Sequence, residues 1–256
     1  MNYSLQFIGQ NSLSTHNNVY IGCESFKQIL CAYRKNNKEA KIVTILKNKT
    51  IHIFDKADDP RVFNFQGETY ATNNYLFNFS IIKIPYGPFY KLPFSRIKNL
   101  VPIPTKKQII LLDIQKRQLH YFKLLNNTIN SVSKKTIHVH RVKQRCQLPP
   151  TCFERGGTNG LYYNKTSFFG IGRCTSANYT KKRNVYHHAF IWKLVIPNLY
   201  IYPICELNKN ALVDPNALYE FKKNTWIFAT TESEMEWNRY PAQKYYNNIY
   251  KIIIDR

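Results

Sequence analysis

The feature that most constrains this chain is its hydrophobic period, which is two almost everywhere. Apolar residues alternate with polar ones, or run together for four to eight residues, and polar turns separate the runs. Examples are Asn18–Cys23, Lys41–Leu46, Arg61–Phe65, Glu68–Thr72, Leu76–Ile84, Gln108–Ile114, Gln118–Leu124, Ser167–Ile171, Ala189–Val195, Leu199–Ile204, Thr225–Ala229 and Asn248–Ile254. No stretch carries a 3.6-residue apolar stripe long enough for a helix. Segments 56–60, 85–93 and 148–159 read as loops. About seventeen short strands at regular spacing point to an all-β sandwich, barrel or propeller. At four strands and roughly 50 residues per blade, the chain suits one five-bladed β-propeller domain spanning residues 1–256. No kelch-type or WD-type repeat marks the blades.

Composition agrees with strands. Tyr (19) and Phe (16) are abundant while Gly (9) is scarce, and aromatic side chains suit a pleated, half-buried surface. The net charge is +22, and it is unevenly spread. Residues 96–145 hold twelve Lys and Arg against one acid, Asp113, whereas residues 205–256 hold seven of each sign. Such a field draws polyanions, so non-specific nucleic-acid binding is one expected partnership. A lysine-rich surface with no partner explains the same count. The six cysteines form no C-x-x-C, and the first residues have neither a basic n-region nor an apolar h-region. Reduced, buried thiols in an intracellular protein are the expectation. No run approaches the ~20 apolar residues that span a membrane.

Three segments carry candidate chemistry. Asp58-Asp59-Pro60-Arg61 places two carboxylates and a guanidinium at the start of a strand. Desolvation of one carboxyl suits a general acid, and Arg61 suits a ligand hydroxyl. An ordinary Asp-Pro surface turn reads equally well. Glu154-Arg155-Gly156-Gly157-Thr158-Asn159-Gly160 concentrates three glycines in one loop. This allows close backbone approach to a ligand or simply a tight turn. His187-His188 opens an apolar strand, where neighbours face opposite sides, so one of the two can line a given cleft or sit in the core. His138 and His140 share a strand face near Cys146, but no second ligand pair has zinc spacing, and no metal is expected. Glu232, Glu234 and Glu236 alternate along one face and fit a solvated edge.

Taken in order, these segments resemble the five-bladed β-propeller carbohydrate-active superfamily, especially relatives of the β-mannoside phosphorylases and mannosyltransferases. Asp58–Phe63 looks like that family's acidic-Asp-Pro-Arg motif, and Phe65–Tyr70 like its continuation into the next strand. Lys98-Asn99-Leu100-Val101-Pro102 is similar to its Lys-Asn-x-x-Pro segment. Arg155–Thr158 matches its Arg-Gly-Gly-Thr loop, Tyr186–Trp192 its H-x-F-like strand, and Asn11–Leu13 an opening element. The resemblance implies a central funnel with Asp59 as general acid toward a glycosidic bond. Lys98, Asn99, Arg61, Arg155, Gly156, Gly157 and Thr158 would hold the sugar or an attacking phosphate, and His187 or His188 would line the rim. It implies a glycan or glycoside partner, no cofactor, and inorganic phosphate or a sugar nucleotide as co-substrate. Hydrolysis, phosphorolysis and transfer all stay open. So does a non-catalytic propeller that binds a glycan or polyanion. Departures are Asp58 where relatives carry Glu, Arg173 where they carry His, a short chain, and a last fifty residues without a matching pattern.

Overall fold

The structure is a computed structural model. It describes residues 1–10, 18–21, 29–35, 39–46, 49–54, 61–73, 78–84, 87–95, 99–125, 128–178, 184–207, 212–233 and 246–254. Asp58, Asp59, Lys98, Glu234 and Glu236 lie outside the described residues, as does segment 56–60. The described residues contain strands and no helix, hence none long and apolar enough to cross a membrane.

β1 (Tyr3–Gln10) is followed by three four-stranded antiparallel meanders. The first is β2 (Asn18–Ile21), β3 (Ile29–Lys35), β4 (Glu39–Leu46) and β5 (Lys49–Phe54). The second is β6 (Val62–Phe65), β7 (Glu68–Asn73), β8 (Asn78–Ile84) and β9 (Phe89–Ser95). The third is β10 (Val101–Pro104), β11 (Ile109–Asp113), β12 (Gln118–Leu125) and β13 (Thr128–Thr136). The rest form one ten-stranded sheet. It holds β14 (His138–Arg141), β15 (Phe153–Gly156), β16 (Leu161–Asn164), β17 (Ser167–Asn178), β18 (Asn184–Val195) and β19 (Asn198–Pro203). It continues through β20 (Leu212–Lys222), β21 (Thr225–Ser233) and β22 (Tyr246–Ile254) to β1. The arrangement is a β-propeller, with β6 beside β10, β11 beside β15 and β2 beside β21.

Five separate sheets were expected and four are found. The large sheet contains two meanders, β16-β17-β18-β19 and β20-β21-β22-β1, joined by a single parallel pairing, His187 with Leu212. β1 pairs with β22 from Tyr3–Ile254 to Gln10–Asn248, so the two ends of the chain close into one sheet. Tyr3 Oη also donates to the Pro203 carbonyl at 3.0 Å.

Five strands escaped the period reading. β9, β10 and β13 are outer or innermost strands with one unpaired edge, where Pro93, Pro102 and Pro104 or a run of Ser, Thr, Asn and Lys are tolerated. β15 lies in a segment expected to be loop, and β1 precedes the first recognised run. The core lies between sheets. Val101, Ile103, Phe190 and Trp192 pack in one cluster, and Phe169, Trp226 and Phe228 in another. Gly170 and Gly172 stand opposite Trp192 and Phe190 in register, leaving room for the large rings.

Four of the six cysteines reverse the expectation of reduced thiols. Cys146 pairs with Cys205 and Cys152 with Cys174, at Cα separations of 5.7 and 5.5 Å. Cys146 is thereby committed away from His138 and His140, which are exposed; His140 Nε2 is 3.1 Å from Asn198 Oδ1 and its ring stacks on Tyr200. Among the described residues no group of three or more His, Cys, Asp or Glu converges to hold a metal.

Candidate functional site

The beginnings of β6, β10 and β20 converge on the end of β15, and most of the described expected residues meet there. Arg61 directly precedes β6 and is only 2% exposed. Its backbone is locked to β7: Arg61 N donates to Thr72 Oγ1 at 2.8 Å, and Thr72 N donates to the Arg61 carbonyl at 2.9 Å. That fixes the side chain to reach across the ring, where Nε donates to the Gly157 carbonyl oxygen. The guanidinium therefore holds the glycine loop in place.

Asn99 stands two residues before β10, buried, with φ of 63°. Asparagine tolerates this left-handed conformation better than most residues. Its Oδ1 accepts from Arg173 Nη2 at 2.9 Å. Its carbonyl lies where a Cβ on Gly156 would have to go. A Cβ on Gly157 would stand 2.5 Å from the Ile171 oxygen and 3.1 Å from Pro215 Cβ. The two glycines thus let the loop thread between β10, β17 and β20. Thr158 completes the passage: its N donates to the Ile171 carbonyl at 2.9 Å, and its hydroxyl donates to the Asn159 carbonyl and accepts from Ile171 N at 3.1 Å. Thr158 is fully buried with its hydroxyl bound to backbone.

Arg155 leaves β15 directly opposite Arg173 of β17, and is half-buried. Paired residues of an antiparallel ladder share a face, so the two arginines stand on the same face of the sheet. Asp214 balances the pair, bridging to Arg173 Nη1. The next pair along β17 and β18 is Thr175 with His187, so His187 shares this face, while His188, opposite Cys174, faces the other way. His187 is buried; burial of His188 lowers its pKa below the usual histidine range. The expectation that only one of the two could serve a given cleft fits this register.

The sequence reading missed Asp214, Asn216 and Glu232. Asn216 Nδ2 donates to Thr231 Oγ1 at 2.8 Å. Glu232 was read as part of a solvated edge, yet it is 1% exposed. It accepts from the Thr230 hydroxyl and from Tyr250 Oη, whose pKa is raised by burial first and by this carboxylate second. One signal was legible: Asp214-Pro215 repeats the acid–proline step of Asp59-Pro60 at the head of another innermost strand.

No protein-family model matches the chain, and no curated protein sequence matches it. Solved structures do. A xylan β-1,4-xylosidase from Bacillus halodurans C-125 aligns at TM-score 0.56 and 10% identity over 94% of this chain, which spans 53% of the xylosidase chain. An exo-1,5-α-L-arabinanase from a bovine ruminal metagenomic library aligns at TM-score 0.51 and 9% identity, covering 94% of each chain. At this identity the likeness concerns architecture: the chain has the propeller fold that these glycoside-acting proteins also adopt.

Proposed function

We propose that the chain is a carbohydrate-active protein that takes a glycan or glycoside where the heads of β6, β10 and β20 meet the end of β15. The observation that supports this reading most is the convergence of Arg61, Asn99 and Arg155–Thr158 on Arg173 and Asp214. These residues lie up to 153 positions apart in the sequence (214 minus 61). An array of donors and acceptors drawn from several strands suits a ligand rich in hydroxyls. Its members divide the work. Arg61, Asn99 and Thr158 are buried and hold the loop, whereas Arg155 and Asp214 are partly exposed and meet the ligand. Two neighbours in fold are named as carbohydrate-active enzymes.

Each four-stranded meander counts as a blade, and the chain is then a single five-bladed domain closed by β1. Asp59, two residues before Arg61 in the sequence, is the general acid, giving its proton to the departing glycosidic oxygen. Water, inorganic phosphate or an acceptor hydroxyl takes the sugar. Lys98, adjoining Asn99, adds a cation for phosphate or for a sugar nucleotide.

The test is a thermal-shift panel of mannosides, xylosides, arabinosides, inorganic phosphate and sugar nucleotides, with turnover measured on every hit. A ligand at a hundred times its Kd stabilises by about 2.7 kcal/mol, or roughly 5–11 °C at ~2–4 °C per kcal/mol. The expected result is a sugar that stabilises wild type and Asp59→Asn alike and is turned over only by wild type. Arg155→Ala loses the shift. Stabilisation by no sugar, or equal turnover by Asp59→Asn, overturns the reading.

A further inference from the structure

The strongest unexplained feature lies on the outer edge of the third sheet. β13 runs nine residues, TINSVSKKT, and all but Ile129 are exposed. At ~3.3 Å per residue it presents an edge of at most ~30 Å, interrupted by a bulge at Val132, where Ser133 pairs with Tyr121 and Ser131 with Phe122. Its side chains are four hydroxyls, an amide, two lysines, the half-buried Ile129 and the exposed Val132, with no acid. Lys134 lies across from His120 and Lys135 from Leu119. Lys135 Nζ sits 5.9 Å from the centre of the buried Tyr121 ring. The β11–β12 turn adds exposed Lys116 and Arg117 at the same end, since Gln118 pairs with Thr136 and Ile137 N donates to the Arg117 carbonyl.

Among the described residues, no ion pair neutralises these cations as Lys83 and Arg141 are neutralised elsewhere. On the second sheet Lys83 is paired with Glu68 at 2.9 Å, and Arg141 is paired with Glu154. Here the single acid between Lys106 and Arg145 is Asp113, which is 4% exposed and accepts from the Lys116 backbone N at 2.9 Å. Four cations therefore face solvent around one inward carboxylate. Residues 205–256, by contrast, balance seven bases with seven acids, and residues 96–145 carry half of the net charge of +22.

We infer that this edge binds the phosphate backbone of double-stranded nucleic acid, without regard to sequence. Lysine and arginine supply the charge, and the Ser, Thr and Asn side chains of β13 supply hydrogen-bond donors to phosphate oxygens. Tyr121 is buried, and the exposed side chains of β13 include no ring, so the edge offers no platform on which unpaired bases could stack. The surface is independent of the proposed sugar site, and either stands without the other.

The test is fluorescence anisotropy of the full chain with two labelled 20-base-pair duplexes of unrelated sequence, from 50 to 200 mM salt. Four phosphate contacts give a log–log salt slope of about −3.6 and a roughly 100-fold loss of affinity across that range. Lys134→Gln/Lys135→Gln should leave a slope near −1.8 and a roughly tenfold loss, as should Lys116→Gln/Arg117→Gln. All four positions are exposed, and unchanged melting temperatures verify the fold. Equal affinity for both duplexes with these reduced slopes supports the inference. It is overturned if no duplex binds, if both double variants bind as wild type does, or if single-stranded DNA or a sulfated glycan binds well while duplex does not.

Discussion

Gly157→Ala probes how the site is held together. The new Cβ would stand 2.5 Å from the Ile171 oxygen and within 3.2 Å of both Pro215 Cβ and the Pro215 oxygen. Carbon and oxygen in ordinary contact sit about 3.3–3.6 Å apart, so the overlap is close to 1 Å. Ile171 cannot retreat. Its carbonyl accepts from Thr158 N, its residue pairs with Ile191, and its side chain is fully buried. The loop must move instead, and the Gly157 carbonyl moves off Arg61 Nε. Overpacking of this kind costs about 1–3 kcal/mol, or roughly 2–12 °C in Tm. Urea unfolding of wild type, Gly157→Ala, Arg61→Leu and the double variant should show a coupling of about 0.5–3 kcal/mol, because both changes break the same contact. A Gly157→Ala protein within 0.5 kcal/mol of wild type, with additive effects, would refute the close threading of this loop.

Three further outcomes follow from the same geometry. Arg173→Leu leaves Asp214 and Asn99 without their guanidinium and should cost about 3–5 kcal/mol in urea unfolding, with Arg173→Leu/Asp214→Leu recovering part of the loss. Burial and Glu232 raise the Tyr250 pKa above the unfolded value near 10. The unfolded chain therefore releases this proton first, so stability is intact below about pH 10 and falls above it, by at most ~1.4 kcal/mol per pH unit for one tyrosine; Tyr250→Phe should flatten that fall. The Cys146–Cys205 bridge spans 59 residues, for which chain entropy gives about 4 kcal/mol, so Cys146→Ser/Cys205→Ser should lower the urea midpoint and make wild type and variant respond differently to reductant.

Period-two patterning was enough to find the buried hairpins, because residues such as Phe63 and Phe65 or Ile109 and Leu111 face one core and repeat every second position. It failed at the edges. β13 is solvated on nearly every side chain and β10 is half proline, so neither shows alternation. The glycine loop was legible because three glycines in seven residues are conspicuous in a chain with nine. What they were for was not: space beside Asn99, Ile171 and Pro215 depends on strands far away in sequence. Arg173 was noticed only as a departure from a family pattern, although it turns out to join Asn99 to Asp214. Glu232 looked like one of three alternating surface carboxylates, since a sequence does not show that Thr230 and Tyr250 will close over it. The disulfides were hidden for a similar reason: their partners are 59 and 22 residues apart and brought together only by the sheet.

The measurement that bears most directly on the proposed sugar site is a crystal soak with the most stabilising sugar from the ligand panel, read as difference density. The account expects density between Arg155 and Asp214, at the end of β15 and the head of β20, and none in crystals of Arg155→Ala. Density elsewhere on the protein, or equal density in the variant, would contradict it.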